Sequence, residues 1–264
     1  MPLPPPSAQV QREWVLCAIA AAGSRFLPVP LADDLVKDRA TRTALARTWR
    51  ARGLEPAPGV IAVLSGDTTG ALTAIRRATA RLPLTLALFP FRKTRLLLTA
   101  VQGVSGDLLQ VLLLARSVDR CLATGWFDVD DDGERLRRAH LIRQAHDSAV
   151  HGADLRALQV ALGGAWRQVH GLARQARDFA RGTFGGRFPP ARSADLVIDD
   201  GEPRPGAGPP LSTGADRVQE VLHQPDSVRI LAELDARFDA ALIALSPGGP
   251  QRTGPLSPPS STAD

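Results

Sequence analysis

The stretch DLRALQVALGGAWRQVHGLARQARDFAR, residues 154–181, decides the fold class of this chain. Leu155, Leu158, Leu162, Ala165, Val169, Leu172, Ala176 and Phe179 recur at alternating spacings of three and four. That is the apolar seam of a helix packed on another helix, and it predicts one continuous helix over 154–181. A second seam follows at Leu231, Leu234, Phe238, Ala241 and Leu245. The matching periods, and the opposite charge balance of the two regions, predict that the C-terminal helix docks on the 154–181 helix as in a bundle.

Working outward, the pattern stays helical. Helices are expected over 9–24, 33–52, 69–82 and 92–124, the last with breaks at Gly103 and Gly106, and Asp33 or Asp34 offers an N-cap or a first-turn carboxylate. Val60 to Leu64 reads equally as a short strand or a helix start, because periodicity cannot arbitrate over five residues. The expected architecture is mainly α: a disordered arm (1–8), a helical core (9–182), a Pro/Gly-rich linker (183–214), a C-terminal helical hairpin (215–246) packed on the core, and a disordered tail (247–264).

Composition bounds the function classes. The chain has 264 residues, 44% of them apolar, which is too apolar for a wholly disordered protein. Tyr and Asn are absent and Lys occurs only as Lys37 and Lys93; all three have AT-rich codons, so a GC-rich bacterial genome is the simplest cause. The charge is uneven. Residues 1–133 carry 16 basic and 12 acidic groups, 134–182 carry 9 and 4, and 183–264 carry 7 and 11. Cys17 and Cys121 have no metal or redox spacing and read as buried small hydrophobes of a reducing cytoplasm. No secretory signal and no apolar run of membrane-spanning length stands out.

Five features are candidates for chemistry. Arg167, Arg174 and Arg181, seven residues apart, line one face of the expected helix, with Arg156, Arg177, Arg135, Arg137, Arg138 and Arg143 nearby. Such a face suits phosphates of anionic lipid or nucleic acid, or is a solvated outer face. The run Leu84, Leu86, Leu88, Phe89, Phe91 abuts Arg92, Lys93 and Arg95, an apolar wedge beside cations that suits an anionic bilayer. Asp128, Asp130 and Asp132 open like a calcium loop and predict at most weak Ca2+ binding, since the twelfth position is Ala139 rather than Glu; the same acids also suit the dipole of a helix starting near Glu134. His140, His146-Asp147, His151 and Asp154 bring a metal-dependent hydrolase to mind but lack a common helical face. Ser65-Gly66-Asp67-Thr68-Thr69-Gly70 lacks the Lys-Ser/Thr pair of a phosphate loop and reads as a capped turn.

The corner Ala20-Ala-Ala-Gly-Ser-Arg-Phe-Leu-Pro-Val-Pro-Leu-Ala-Asp-Asp34 joins a small-residue helix to an acidic helix start through Pro28-Val29-Pro30. It resembles the Ile-Pro-x-Pro-x-x-Asp corner of the bacterial EcsC-like and YcjF-like helical families, a likeness over about fifteen residues. The resemblance implies membrane association. The functional expectation is therefore a non-catalytic bacterial scaffold or interaction protein, cytoplasmic or peripheral at an anionic membrane surface, with anionic lipid or a protein as partner. Nucleic-acid binding through the 135–181 arginines is the alternative, and a metal-dependent hydrolase has the least support.

Overall fold

The computed structural model describes residues 6–27, 32–66, 93–184 and 209–246, with side chains in the long fourth helix described from Gly103 onward. The expected arm (mostly), the 69–82 helix, most of the linker and the tail lie outside the described residues, as do Pro28-Val29-Pro30 and the 84–91 wedge. Among the described residues every regular element is helical. In chain order these are α1 (Ala8–Gly23), a 3-10 turn (Ser24–Phe26), α2 (Ala32–Ala51), α3 (Pro58–Ser65) and α4 (Lys93–Ala123). Then come α5 (Asp132–His151), α6 (Arg156–Gln168), α7 (Leu172–Phe184), α8 (Pro209–His223) and α9 (Pro225–Leu245).

α1 is the axis of the bundle. From Trp14 onward almost every residue except Leu16 is buried, and α2, α4, α7 and α8 pack around it. A helix apolar on nearly all faces has to be central, because no face is fit for solvent. Its alanines permit close approach, and at Gly23 a Cβ would stand 2.6 Å from the backbone carbon of Ala176 on α7. Ser7 begins α1 by accepting the Val10 amide on its hydroxyl at 3.4 Å. The Trp14 indole N–H donates to Thr48 Oγ1 at 2.8 Å, tying α1 to α2.

Ionic clasps hold the long α4 to its neighbours. The Arg25 guanidinium makes a two-pronged pair with Asp107, whose Oδ1 also lies 3.3 Å from Lys37 Nζ on α2. Arg52 pairs Asp119 through two bonds of 2.8 Å. Residues 60–64 fall within α3, opened by Pro58 at a position where a missing N–H costs nothing. Gly103 and Gly106 do not break α4.

Three expectations are corrected. The 154–181 seam is carried by two helices, because Gly171 at φ +80° turns the chain between α6 and α7. The C-terminal helix α9 packs on α5 rather than on 154–181, while α8 lies against α6, α1 and α7. The last helical segment starts at Pro209, six residues before the expected 215: a proline pair in the first turn lacks N–H groups that would be unpaired there anyway. Arg116 and Arg120 of α4 clasp α9, with Asp235 held by Arg116 at 3.0 and 2.8 Å and by Arg120 at 3.2 Å, and Asp239 held by Arg120.

Candidate anionic-surface interface

Among the described residues, most arginines are paired with the chain's own carboxylates. On α5, Arg137 and Arg138 both donate to Glu134, at 2.6–2.8 Å, and their hydrogen bonds hold the Glu134 carboxyl down at about 2. Arg135 pairs Asp132 at 2.8 Å and Arg143 pairs Asp147 at 3.0 Å. These are i,i+3 and i,i+4 contacts, the spacings at which helical side chains meet. Arg177 is held by Asp178 at 2.9 Å, and Arg156 lies 3.9 Å from Asp154.

Arg167, Arg174 and Arg181 differ. All three are exposed, and among the described residues no carboxylate stands within 4 Å of any of them. Arg167 sits in the last turn of α6 and donates to the Gly163 carbonyl of its own helix at 3.2 Å, where a cation also meets the negative end of the helix dipole. Two turns earlier on the same face stands Val160, an apolar side chain 71% exposed. Arg174 and Arg181 lie two turns apart on α7, about 10 Å along the axis. Because of the turn at Gly171 they form a bent pair of faces rather than the straight stripe expected. Residues 156–184 hold five arginines and one acid, Asp178. The buried side of α7, Leu172, Ala176, Ala180 and Phe184, fixes which way its arginines face.

Lys93 and Arg95 lie in the first turn of α4, and Arg92 precedes it outside the described residues. Among the described residues, no group of three or more His, Cys, Asp or Glu side chains is placed to hold a metal ion. Near the expected calcium loop, Asp131 Oδ2 accepts the Glu134 amide at 2.7 Å as the N-cap of α5, and Asp132 is taken by Arg135. His140 and His151 are exposed whereas His146 is buried. His146 Nδ1 is 3.0 Å from Ser117 Oγ, but that hydroxyl also donates to the Leu113 carbonyl and is buried, so no substrate reaches it as a nucleophile. Cys17 and Cys121 are buried thiols, Cys17 pushed up to about 12 by burial and Cys121 raised by the same cause.

Sequence reasoning passed over the carboxylate pairing that separates these three exposed arginines from those of α5. The signal was available: Glu134 precedes Arg137 and Arg138 by three and four residues, and Arg143 precedes Asp147 by four. Comparison with protein-family models, with curated proteins and with solved structures finds no match to this chain.

Proposed function

We propose that this protein is a non-catalytic helical scaffold that docks on an anionic bilayer surface through Arg167, Arg174 and Arg181. The observation that carries the reading is that these three are exposed and have no carboxylate partner among the described residues, while their neighbours are neutralised. Val160 on the Arg167 face adds an apolar contact of the kind that enters a headgroup layer. Among the described residues no helix is long and apolar enough to cross a membrane, and the proposed contact is with one face of the bilayer. Arg92, Lys93 and Arg95 beside the 84–91 wedge belong to the same reading, as does the resemblance of the 20–34 corner to membrane-associated families.

Nucleic acid is the weaker occupant of this surface. Single-stranded bases need aromatic platforms, and every Trp and Phe among the described residues is buried or half-buried. Weak Ca2+ at Asp128, Asp130 and Asp132 forms no part of the proposal, since among the described residues no group of three or more His, Cys, Asp or Glu is placed to hold a metal ion.

The test is co-sedimentation with phosphatidylcholine vesicles, with and without phosphatidylglycerol, beside a gel-shift assay with DNA and RNA. Binding is expected only with the anionic lipid, falling with salt. At about 1 kcal/mol per cation near the surface, the triple change of Arg167, Arg174 and Arg181 to Gln lowers it roughly 100-fold. Equal binding to neutral vesicles, or a shift of nucleic acid without vesicle binding, overturns the proposal.

A further inference from the structure

A cavity of about 280 Å³ lies between α4, α5 and α6. Leu109, Leu113, Leu114, Val150 and Leu155 give it an apolar wall, and His146 is a polar member of that wall although only 5% exposed. The imidazole is held in one orientation by Ser117. Where the single Ser117 hydroxyl hydrogen goes to the Leu113 carbonyl at 3.0 Å, the contact to His146, also 3.0 Å, places the imidazole hydrogen on Nδ1. Nε2 is then a lone-pair acceptor. It has no hydrogen-bond partner among the described residues, and His146 lines the cavity.

The rim carries no net charge. Arg143 is spent on Asp147 at 3.0 Å and on the Leu64 carbonyl at 2.7 Å, so neither a free cation nor a free carboxylate addresses a ligand. Burial keeps the imidazole itself neutral, its pKa lowered to about 4. Gln110 and Gln159 add neutral amides to the lining, and apolar walls with a few polar groups are the usual build of a small-molecule site.

We infer that the cavity between α4, α5 and α6 binds a neutral, mostly apolar small molecule bearing one hydroxyl or N–H group, which donates a hydrogen bond to His146 Nε2. A carboxylate finds no unpaired cation there, and an amine finds no unpaired acid. This inference does not depend on the arginine surface of α6 and α7.

The experiment titrates the full chain at neutral pH with three fluorescent probes of one shape: naphthol, naphthalene and naphthoate. Naphthol is expected to bind saturably and roughly five- to tenfold more tightly than naphthalene, the worth of one buried hydrogen bond, with naphthoate weakest. His146→Phe equalises naphthol and naphthalene. Gly106 lines the cavity and a Cβ there meets nothing within 4 Å, so Gly106→Phe is expected to grow into the space and remove binding of all three. Wild-type protein that binds naphthol and naphthalene alike, binds naphthoate most tightly, or binds none saturably contradicts the inference. So does a naphthol preference that survives His146→Phe, or binding untouched by Gly106→Phe.

Discussion

At Gly23 a single hydrogen separates α1 from α7. A Cβ there would stand 2.6 Å from Ala176 C and 2.7 Å from its carbonyl oxygen, so backbone rather than a flexible side-chain end has to move. Ala gains up to ~1 kcal/mol over Gly by helix propensity, but overpacking a close crossing costs more, and the steric effect wins. Gly23→Ala is therefore expected to lower stability by about 2 kcal/mol, read as a lower urea midpoint. His146 supplies a second test at this scale. Burial brings its pKa to about 4, with Asp147 pulling it up and Arg143 pushing it down. The folded value lies below the unfolded one, near 6.5, so between the two the unfolded chain holds a proton that the native state lacks. Stability should accordingly fall as the solution is acidified through that window, by up to about 3 kcal/mol, and His146→Gln should flatten the fall. Urea unfolding at neutral pH and near pH 4 checks it; an unchanged slope in the variant contradicts the assignment.

Among the elements, α9 is clasped to α4 chiefly through one carboxylate. Asp235 accepts from both Arg116 and Arg120 of α4, and its loss leaves two partly buried guanidinium groups short of a partner. Asp235→Ala is expected to cost about 2–3 kcal/mol. Hydrogen exchange should show α9 amides losing protection while those of α1 keep theirs. The same helices explain what could be read in advance. Seam residues Leu155, Leu158, Leu162, Leu172 and Ala176 are all buried, as their spacing requires. The break between α6 and α7 was hidden because the three-and-four alternation runs straight through His170-Gly171, although a glycine is itself a stop signal. The docking partner of α9 was hidden for another reason: a seam declares that a helix is packed, not against what. Asp235 and Asp239 find their arginines on α4, some 115 residues away, a pairing that local spacing does not encode. Nor is the cavity beside His146 legible along the chain, since three helices have to meet before it exists.

Across the whole molecule, net charge is a poor guide to where charge is available. The chain is +5 overall, yet the arginine-dense α5 is largely self-neutralised and the acidic C-terminal segment is partly consumed by α4. The surface account consequently predicts that position matters more than total charge. The direct measurement compares two triple variants with the same charge change on phosphatidylglycerol-containing vesicles. One is R167Q/R174Q/R181Q; the other is R137Q/R217Q/R229Q, which removes exposed arginines already paired with Glu134, Glu220 and Asp226. The first should lose vesicle affinity roughly 100-fold while the second stays within about threefold of wild type. Equal losses in both, or none in the first, would contradict the account.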